Sequence, residues 1–255
     1  MLLAVDVGNT NITFGLYDGE DLKNNWRLES IRTRTTDEYF ILVVELLKAA
    51  GTRRDEITGS IMASVVPPLS RTIETMLTRL LSTPPLVVGP GIKTGISVRY
   101  NLPQDVGADR IVNAVAAFQR FQSACIVVDF GTATTFDVIS ARGDYLGGAI
   151  CPGIELSLEA LAQRAARLPR VDFAKPPHAI GRSTVESIQA GAFYGYAALV
   201  DGMVARIRKE LEPDTARVVG TGGLAPLIAQ DTTTIEEVYP ELTLRGLRLI
   251  YTMNT

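Results

Sequence analysis

One pattern constrains the fold of this chain more than any other. An apolar strand ending in Asp-x-Gly and leading into a threonine-rich second strand occurs twice, as AVDVGNTNITFG from Ala4 and as VVDFGTATTFDV from Val127. Asp6 returns as Asp129 and Gly8 as Gly131, and a polar residue, Asn9 or Thr132, follows each glycine. The copies stand nearly half a chain apart in 255 residues. That separation predicts duplication of a whole domain-sized unit rather than a short tandem repeat.

The segments around each copy repeat in the same order. LLAVDV, NITFGLYDG and NNWRLES read as strands, the last two hinged at Asp18-Gly19. TTDEYFILVVELLKAAG reads as a helix, with Thr35 and Glu38 as a capping box and Gly51 as its stop. SIMASVV is a strand, PPLSRTIETMLTRLLS a helix opened by proline, and PLVVG a further strand. From Cys125 the series restarts with CIVVDF, TTFDVISARG and DYLGGAI. Helices follow in IELSLEALAQRAARL and from Ser183 to about Leu211, then ARVVGT, LAPLIAQ, TTIEEV and LTLRGLRLIYTM. The expected fold class is α/β, a β-β-β-α-β-α-β lobe used twice. The boundary is expected near residue 118, giving lobes 1–117 and 118–255, with a helix over about Asp105 to Phe121 capped by Asp105. The pattern resembles ribonuclease H-like lobes of the superfamily of sugar and acetate kinases, actin and heat-shock ATPases. That resemblance implies a nucleotide in an active-site cleft between the lobes, gripped by a strand-turn-strand loop from each.

Composition removes several competing functions. A net charge of −3 gives no support for nucleic-acid binding. One histidine, His178, with Cys125 and Cys151 in unrelated contexts, suits neither a common zinc site nor a histidine-based triad. The chain reaches Asp6 with no basic and apolar leader, and its longest mostly apolar stretch, Ala190 to Ala205, carries Asp201 and glycines. A cytoplasmic protein without a membrane span is the expectation.

The paired loops suit phosphate. Glycine after aspartate allows a tight turn, so backbone N–H groups of Gly8, Asn9 and Thr10 can face phosphate oxygens. Asp6 and Asp129 would repel phosphate directly, so their partners are cations: Mg²⁺ through water for one, a further ion for the other. No G-x-x-x-x-G-K-[ST] sequence is present. VVGTGGLA matches a dinucleotide fingerprint, with Glu241 beyond it, yet lies near the end of the sequence rather than opening a first βαβ unit. In a two-lobed kinase, Gly222 and Gly223 would instead admit adenosine.

DVGADRIVNAVAAF places Asp109 and Arg110 at the start of a helix. A carboxylate there can accept a hydroxyl proton during phosphoryl transfer, and the guanidinium can hold a carboxylate or the phosphoryl group. Alternatively, Asp109 only favours the helix N-terminus. In RSTVESIQAG, Ser183 or Thr184 caps the long helix with Glu186. Ala190, Gly191, Ala192, Gly195, Ala197 and Ala198 make that helix narrow, which suits close packing against a second copy.

Taken in order, DVGNT (Asp6 to Thr10), GADR (Gly107 to Arg110), DFGTATT (Asp129 to Thr135), GGAICPG (Gly147 to Gly153) and TGGLA (Thr221 to Ala225) resemble the type III pantothenate kinases over nearly the whole chain. The resemblance implies ATP-dependent phosphorylation of pantothenate to 4′-phosphopantothenate, the first step toward coenzyme A. It implies Asp109 as proton acceptor, and a substrate site from Tyr100, Gly107, Ala108, Asp109, Arg110 and Thr184. ATP would be held by Asp6, Val7, Gly8, Asn9, Thr10, Asn11, Ile12, Thr13 and Thr132, with Gly222 and Gly223 at the adenosine. It further implies Mg²⁺ near Asp6, K⁺ or NH₄⁺ at Asp129, and a homodimer. Other readings are a non-catalytic relative, a two-lobed kinase for another small acid or sugar, and an actin-like ATPase. One departure is YNLP, with Leu102 where many relatives carry asparagine and Asn101 one place earlier.

Overall fold

In a computed structural model, residues 1–211 and 215–255 are described. Two sheets organise the chain. The first has five strands in the order β3-β2-β1-β4-β5: β1 (Leu2–Val7), β2 (Asn11–Asp18), β3 (Asp21–Glu29), β4 (Gly59–Ser64) and β5 (Leu86–Val87). The second has six, in the order β11-β10-β7-β8-β9-β6: β6 (Ser97–Val98), β7 (Cys125–Phe130), β8 (Ala133–Ile139), β9 (Asp144–Pro152), β10 (Arg217–Thr221) and β11 (Glu237–Val238). Within each, counted from β1 or β7, the first two strands form a hairpin, the third pairs antiparallel to the second, and the fourth (β4 or β10) runs parallel to the first. Set side by side, the orders are identical except for β6, which pairs parallel to β9 at the edge. The duplication expected from the Asp-x-Gly repeat is therefore a duplication of sheet topology.

Helices α1 (Thr36–Ala49), α2 (Pro67–Leu81), α3 (Ala108–Phe121), α4 (Ile154–Arg164), α5 (Thr184–Leu211), α6 (Ala225–Ile228) and α7 (Leu242–Asn254) complete the order. Thr35 and Glu38 form the expected capping box on α1, and Gly51 stands at φ +70° just past its end. The helix of the GADR segment differs from expectation. Pro103–Asp105 is a separate 3-10 turn, and the Gly107 carbonyl accepts the first helical bonds from Arg110 and Ile111. Asp105 is not its cap.

Contacts divide the chain into one compact unit of residues 1–96, 101–116 and 242–255, and a second of 97–100 and 117–241. The division at 117/118 read from the sequence assigns α7 to the second lobe. In the structure α7 packs on β1, β2 and β4 of the first sheet. Its amphipathic stripe required a sheet face, and the local pattern could not say which.

The first sheet buries both faces. Leu3, Val5 and Val7 join Ile12, Phe14 and Met62 against α1 and α2, whereas Leu2, Ala4, Ile61 and Ala63 meet α3 and α7. Side chains alternate along β1, so Asp6 lies on the side of α3 and α7. In the second unit, Ile126, Val128, Phe130 and Phe136 pack with Phe193, Val200 and Val204 of α5. Asp129 follows Val127 onto the other face of that sheet.

Candidate active site

The first loop is tied on three sides. Gly8 N–H donates to the Asn11 carbonyl (3.0 Å), closing the hairpin between Val7 and Ile12. Ser30 Oγ donates to the Gly8 carbonyl (2.6 Å), and Ser30 N–H to the Thr10 carbonyl (2.9 Å). Gly8 N–H is thus committed within the turn rather than presented to a phosphate, a correction to the expected donor set. Asn9, Thr10 and Asn11 form the exposed tip, and Thr13 lies across the hairpin from Asp6. Val7 and Ile12 bury their side chains in the α1/α2 core, so only their backbones are available to a ligand. Ser30 was invisible to sequence reasoning because only the β2–β3 register brings it to the loop.

The GADR segment lies beside this loop within the same unit. Val65 N–H donates to the Val7 carbonyl at 3.1 Å. The same residue's Cγ1 lies 3.4 Å from where a Cβ on Gly107 would stand, and Asp109 Oδ1 lies 2.5 Å from that point. A side chain at residue 107 would therefore displace the carboxylate. Asp109 Oδ1 accepts from Arg110 N–H at 2.8 Å. Burial pushes the Asp109 carboxyl above the usual carboxylate range, against the opposing pull of the Arg110 N–H and guanidinium. Ala108 is half-buried and Arg110 is buried. A raised carboxylate in a mostly dry setting is the state a general base requires, more than an exposed helix-start aspartate does.

The second unit gathers the other motifs. Gly131 N–H donates to the Ala133 carbonyl (3.0 Å), a turn one residue tighter than its counterpart. Gly153 N–H donates to the Thr132 carbonyl (3.1 Å), so the end of GGAICPG braces the exposed Thr132. Asp129 faces Thr135 on β8 and Thr221 on β10. Gly222, at φ +89°, comes so close that a Cβ there would stand 2.6 Å from Asp129 Oδ1, while Gly223 is exposed. Beyond Thr135, its hydroxyl donates to Asp137 Oδ2 (3.1 Å), and Tyr145 donates to Asp137 Oδ1 (2.8 Å). This buried Asp137–Tyr145 pair also escaped the sequence reading.

The Tyr100 ring lies over Gly147, the first glycine of GGAICPG. At the start of α5, Ser183 Oγ accepts from Glu186 N–H (3.2 Å), while Glu186 accepts from Arg182 N–H (2.7 Å). Ser183 is the cap, which leaves Thr184 exposed as the first helical residue. Leu102 is exposed and its carbonyl accepts from Asp105 N–H (2.9 Å).

Asp129 stands in register with two threonines, a carboxylate beside hydroxyl-bearing residues that suits a hard cation, and no cluster of three His, Cys, Asp or Glu side chains occurs among the described residues. One carboxylate with hydroxyls and carbonyls fits a monovalent ion, and Mg²⁺ near Asp6 would take most of its ligands from phosphate and water.

The type III pantothenate kinase family model matches residues 2–206. The chain belongs to that family. It is 56% identical over 254 residues to the type III pantothenate kinase of Anaeromyxobacter sp. strain K, covering all of both chains. To that of Geobacter sulfurreducens it is 54% identical, over 100% of this chain and 99% of the relative. The fold resembles the crystal structure of a ROK hexokinase from Thermus thermophilus, with a TM-score of 0.55 at 15% identity over 99% and 98% of the two chains. The kinase family and the two-sheet fold agree with both expectations from the sequence, and membership makes the chain a phosphotransferase. Among the described residues, no helix is long and apolar enough to cross a membrane.

Proposed function

We propose that this chain transfers the γ-phosphoryl group of ATP to the primary hydroxyl of pantothenate, yielding 4′-phosphopantothenate and ADP, with Asp109 as proton acceptor. The observation that carries the residue assignment is the seat of Asp109: a half-buried, raised carboxylate joined to the first phosphate loop through Gly107, Val65 and Val7. As the hydroxyl oxygen forms its bond to phosphorus and the bond to the β-phosphate oxygen breaks, the hydroxyl proton passes to the Asp109 carboxylate. Arg110, with the backbone of Gly107 and Ala108, holds the pantothenate carboxylate or steadies the phosphoryl group; Tyr100 and Thr184 complete the substrate contacts.

On the nucleotide side, the exposed tip from Asn9 to Asn11, the hydroxyl of Thr13, and Thr132 hold the phosphates, with Val7, Gly8 and Ile12 forming the turn that presents the tip. Gly222 and Gly223 lie at the adenosine. Asp6 would hold Mg²⁺ through water and Asp129 a K⁺ or NH₄⁺ ion, which together offset polyphosphate charge. A homodimer through α5 is supported by exposed Gly191, Gly195 and Val185 on that helix and by exposed Leu156 and Leu161 on α4, which packs against it. The reaction belongs to the cytoplasm, where coenzyme A synthesis begins.

ADP release by purified protein tests the assignment, with Mg·ATP, with and without pantothenate, in Na⁺ and in K⁺, beside Asp109→Asn. Turnover requiring pantothenate and K⁺, and falling about 10²- to 10⁴-fold in the variant, is expected. Because burial raises the Asp109 carboxyl, the acidic limb of kcat/KM should lie above the ordinary aspartate value of about 3.9. An Asp109→Asn protein retaining full turnover would remove Asp109 from the role of base.

A further inference from the structure

The closing helix touches the Asp109 helix where Asp109 can feel it. Val112 and Asn113 stand three and four residues after Asp109 and share its helix face. A Cβ on Gly246 of α7 would fall on the Val112 carbonyl oxygen and 2.7 Å from its Cγ1, so the two helix backbones are in direct contact at that point. Three residues earlier, Thr243 Oγ1 lies 2.7 Å from Asn113 Oδ1 and donates to it; Asn113 is 1% exposed. The opposite side of α7 presses equally hard on the first sheet. Leu244 Cδ1 would lie 2.9 Å from a Cβ on Gly15 of β2, and the Tyr251 hydroxyl occupies the space a side chain on Gly59 of β4 would need. Arg248, buried, reaches Glu20 in the β2–β3 turn at 3.3 Å.

These contacts make α7 a shim of fixed thickness. On one side lies the sheet whose β1–β2 turn is the first phosphate loop, with Asp6 on that same face; on the other lies α3, whose first turn carries Asp109. We infer that α7 sets the spacing between Asp109 and the first phosphate loop, with Thr243 and Gly246 as positioning residues for phosphoryl transfer. Neither residue touches a reacting atom, and neither lies in any motif shared with the phosphate loops. The inference deepens the reading of Asp109 as base and rests on it. Its physical warrant is that reacting groups held at near-attack distance lose much of their advantage when displaced by about 1 Å.

The test is steady-state ADP release by the full chain carrying Thr243→Val, Thr243→Ser or Gly246→Ala. Ile73→Val serves as a control, since Ile73 lies in the α1/α2 core on the other face of the same sheet. Thr243→Val keeps the side-chain shape and removes the donor to Asn113. Its kcat should fall about 10- to 100-fold with KM for pantothenate and ATP within about threefold, the signature of lost transition-state alignment. Thr243→Ser, which keeps the hydroxyl, should recover most of the rate, and Ile73→Val should retain kcat despite lower stability. If Gly246→Ala does not fold, the Val and Ser pair at residue 243 decides alone. A folded Thr243→Val enzyme with kcat within about twofold of the parent, or an equal loss in Ile73→Val, would overturn the spacer role. Asp109→Asn assayed in the same series separates the readings: full turnover there sinks the base assignment, while the residue-243 pair still reports on the seat of the helix.

Discussion

Replacing Gly222 by alanine should damage the second phosphate loop from behind. The residue stands at φ +89°, where a side chain costs about 1–3 kcal/mol. Its new Cβ would stand 2.6 Å from both Asp129 Oδ1 and the Phe130 carbonyl oxygen and 2.8 Å from the Phe130 carbonyl carbon. Restoring ordinary van der Waals separation requires the end of β7 to move by nearly 1 Å, and overpacking of that kind costs about 1–3 kcal/mol more. Together these costs come to about 2–6 kcal/mol, a large share of the roughly 5–15 kcal/mol that holds a typical domain folded. Urea unfolding followed by circular dichroism reads the stability change by linear extrapolation. Titrating K⁺ in the ADP-release assay reads the local one, because the clash falls on the carboxylate proposed to hold that ion; the half-saturating K⁺ concentration should rise. A loss below about 1 kcal/mol with unchanged K⁺ dependence would refute the reasoning, since β7 would then be free to yield and Gly222 would not be fixing Asp129.

Two further outcomes follow from features away from the chemistry. Asp201 on α5 accepts from the backbone N–H and the hydroxyl of both Thr233 and Thr234. Burial raises its carboxyl, but the Thr233 and Thr234 hydrogen bonds outweigh that and leave it below the usual aspartate value. The contribution to stability is therefore complete above about pH 3.9 and disappears as pH falls through the lower folded value. Asp201→Ala should cost about 1–2 kcal/mol at pH 7 in thermal or urea unfolding and progressively less in acid; a cost independent of pH would contradict it. At Gly191 and Gly195 no atom lies within 4 Å of where an added methyl group would stand, so alanine at either should stabilise α5 by about 0.5–1 kcal/mol. Light scattering on the same proteins tests the dimer: a shift toward monomer in the alanine variants, with α5 intact, would place those glycines at the contact between copies.

Much of the fold was legible because it rests on local chemistry. The Thr35–Glu38 box, the Gly51 stop and the Asp18-Gly19 turn each state their geometry in a few residues. Strand-turn-strand copies around Asp6 and Asp129 foretold equal sheet orders, since the same hairpin must start each sheet. What failed was non-local. β6 is two residues long and exists only because β9 offers an edge. Asp105 has the composition of a cap, yet Pro103 draws it into a 3-10 turn and leaves the helix to start at Ala108. Within the site, the loop carboxylates and the GADR motif were readable, whereas Ser30, Val65 and Thr243 act through register or helix crossing, which no run of neighbouring residues encodes.

The address of α7 has a consequence for how the protein is made. Domains commonly fold in the order in which they are synthesised. Here the sheet that begins at Leu2 receives its covering helix only from residues 242–254, after the whole second unit has been translated. Until then Leu2, Ala4, Ile61 and Ala63 lack one wall of their core. The second unit, nearly continuous in sequence, can mature first, while the nascent first unit waits with part of an apolar face uncovered until the last helix emerges.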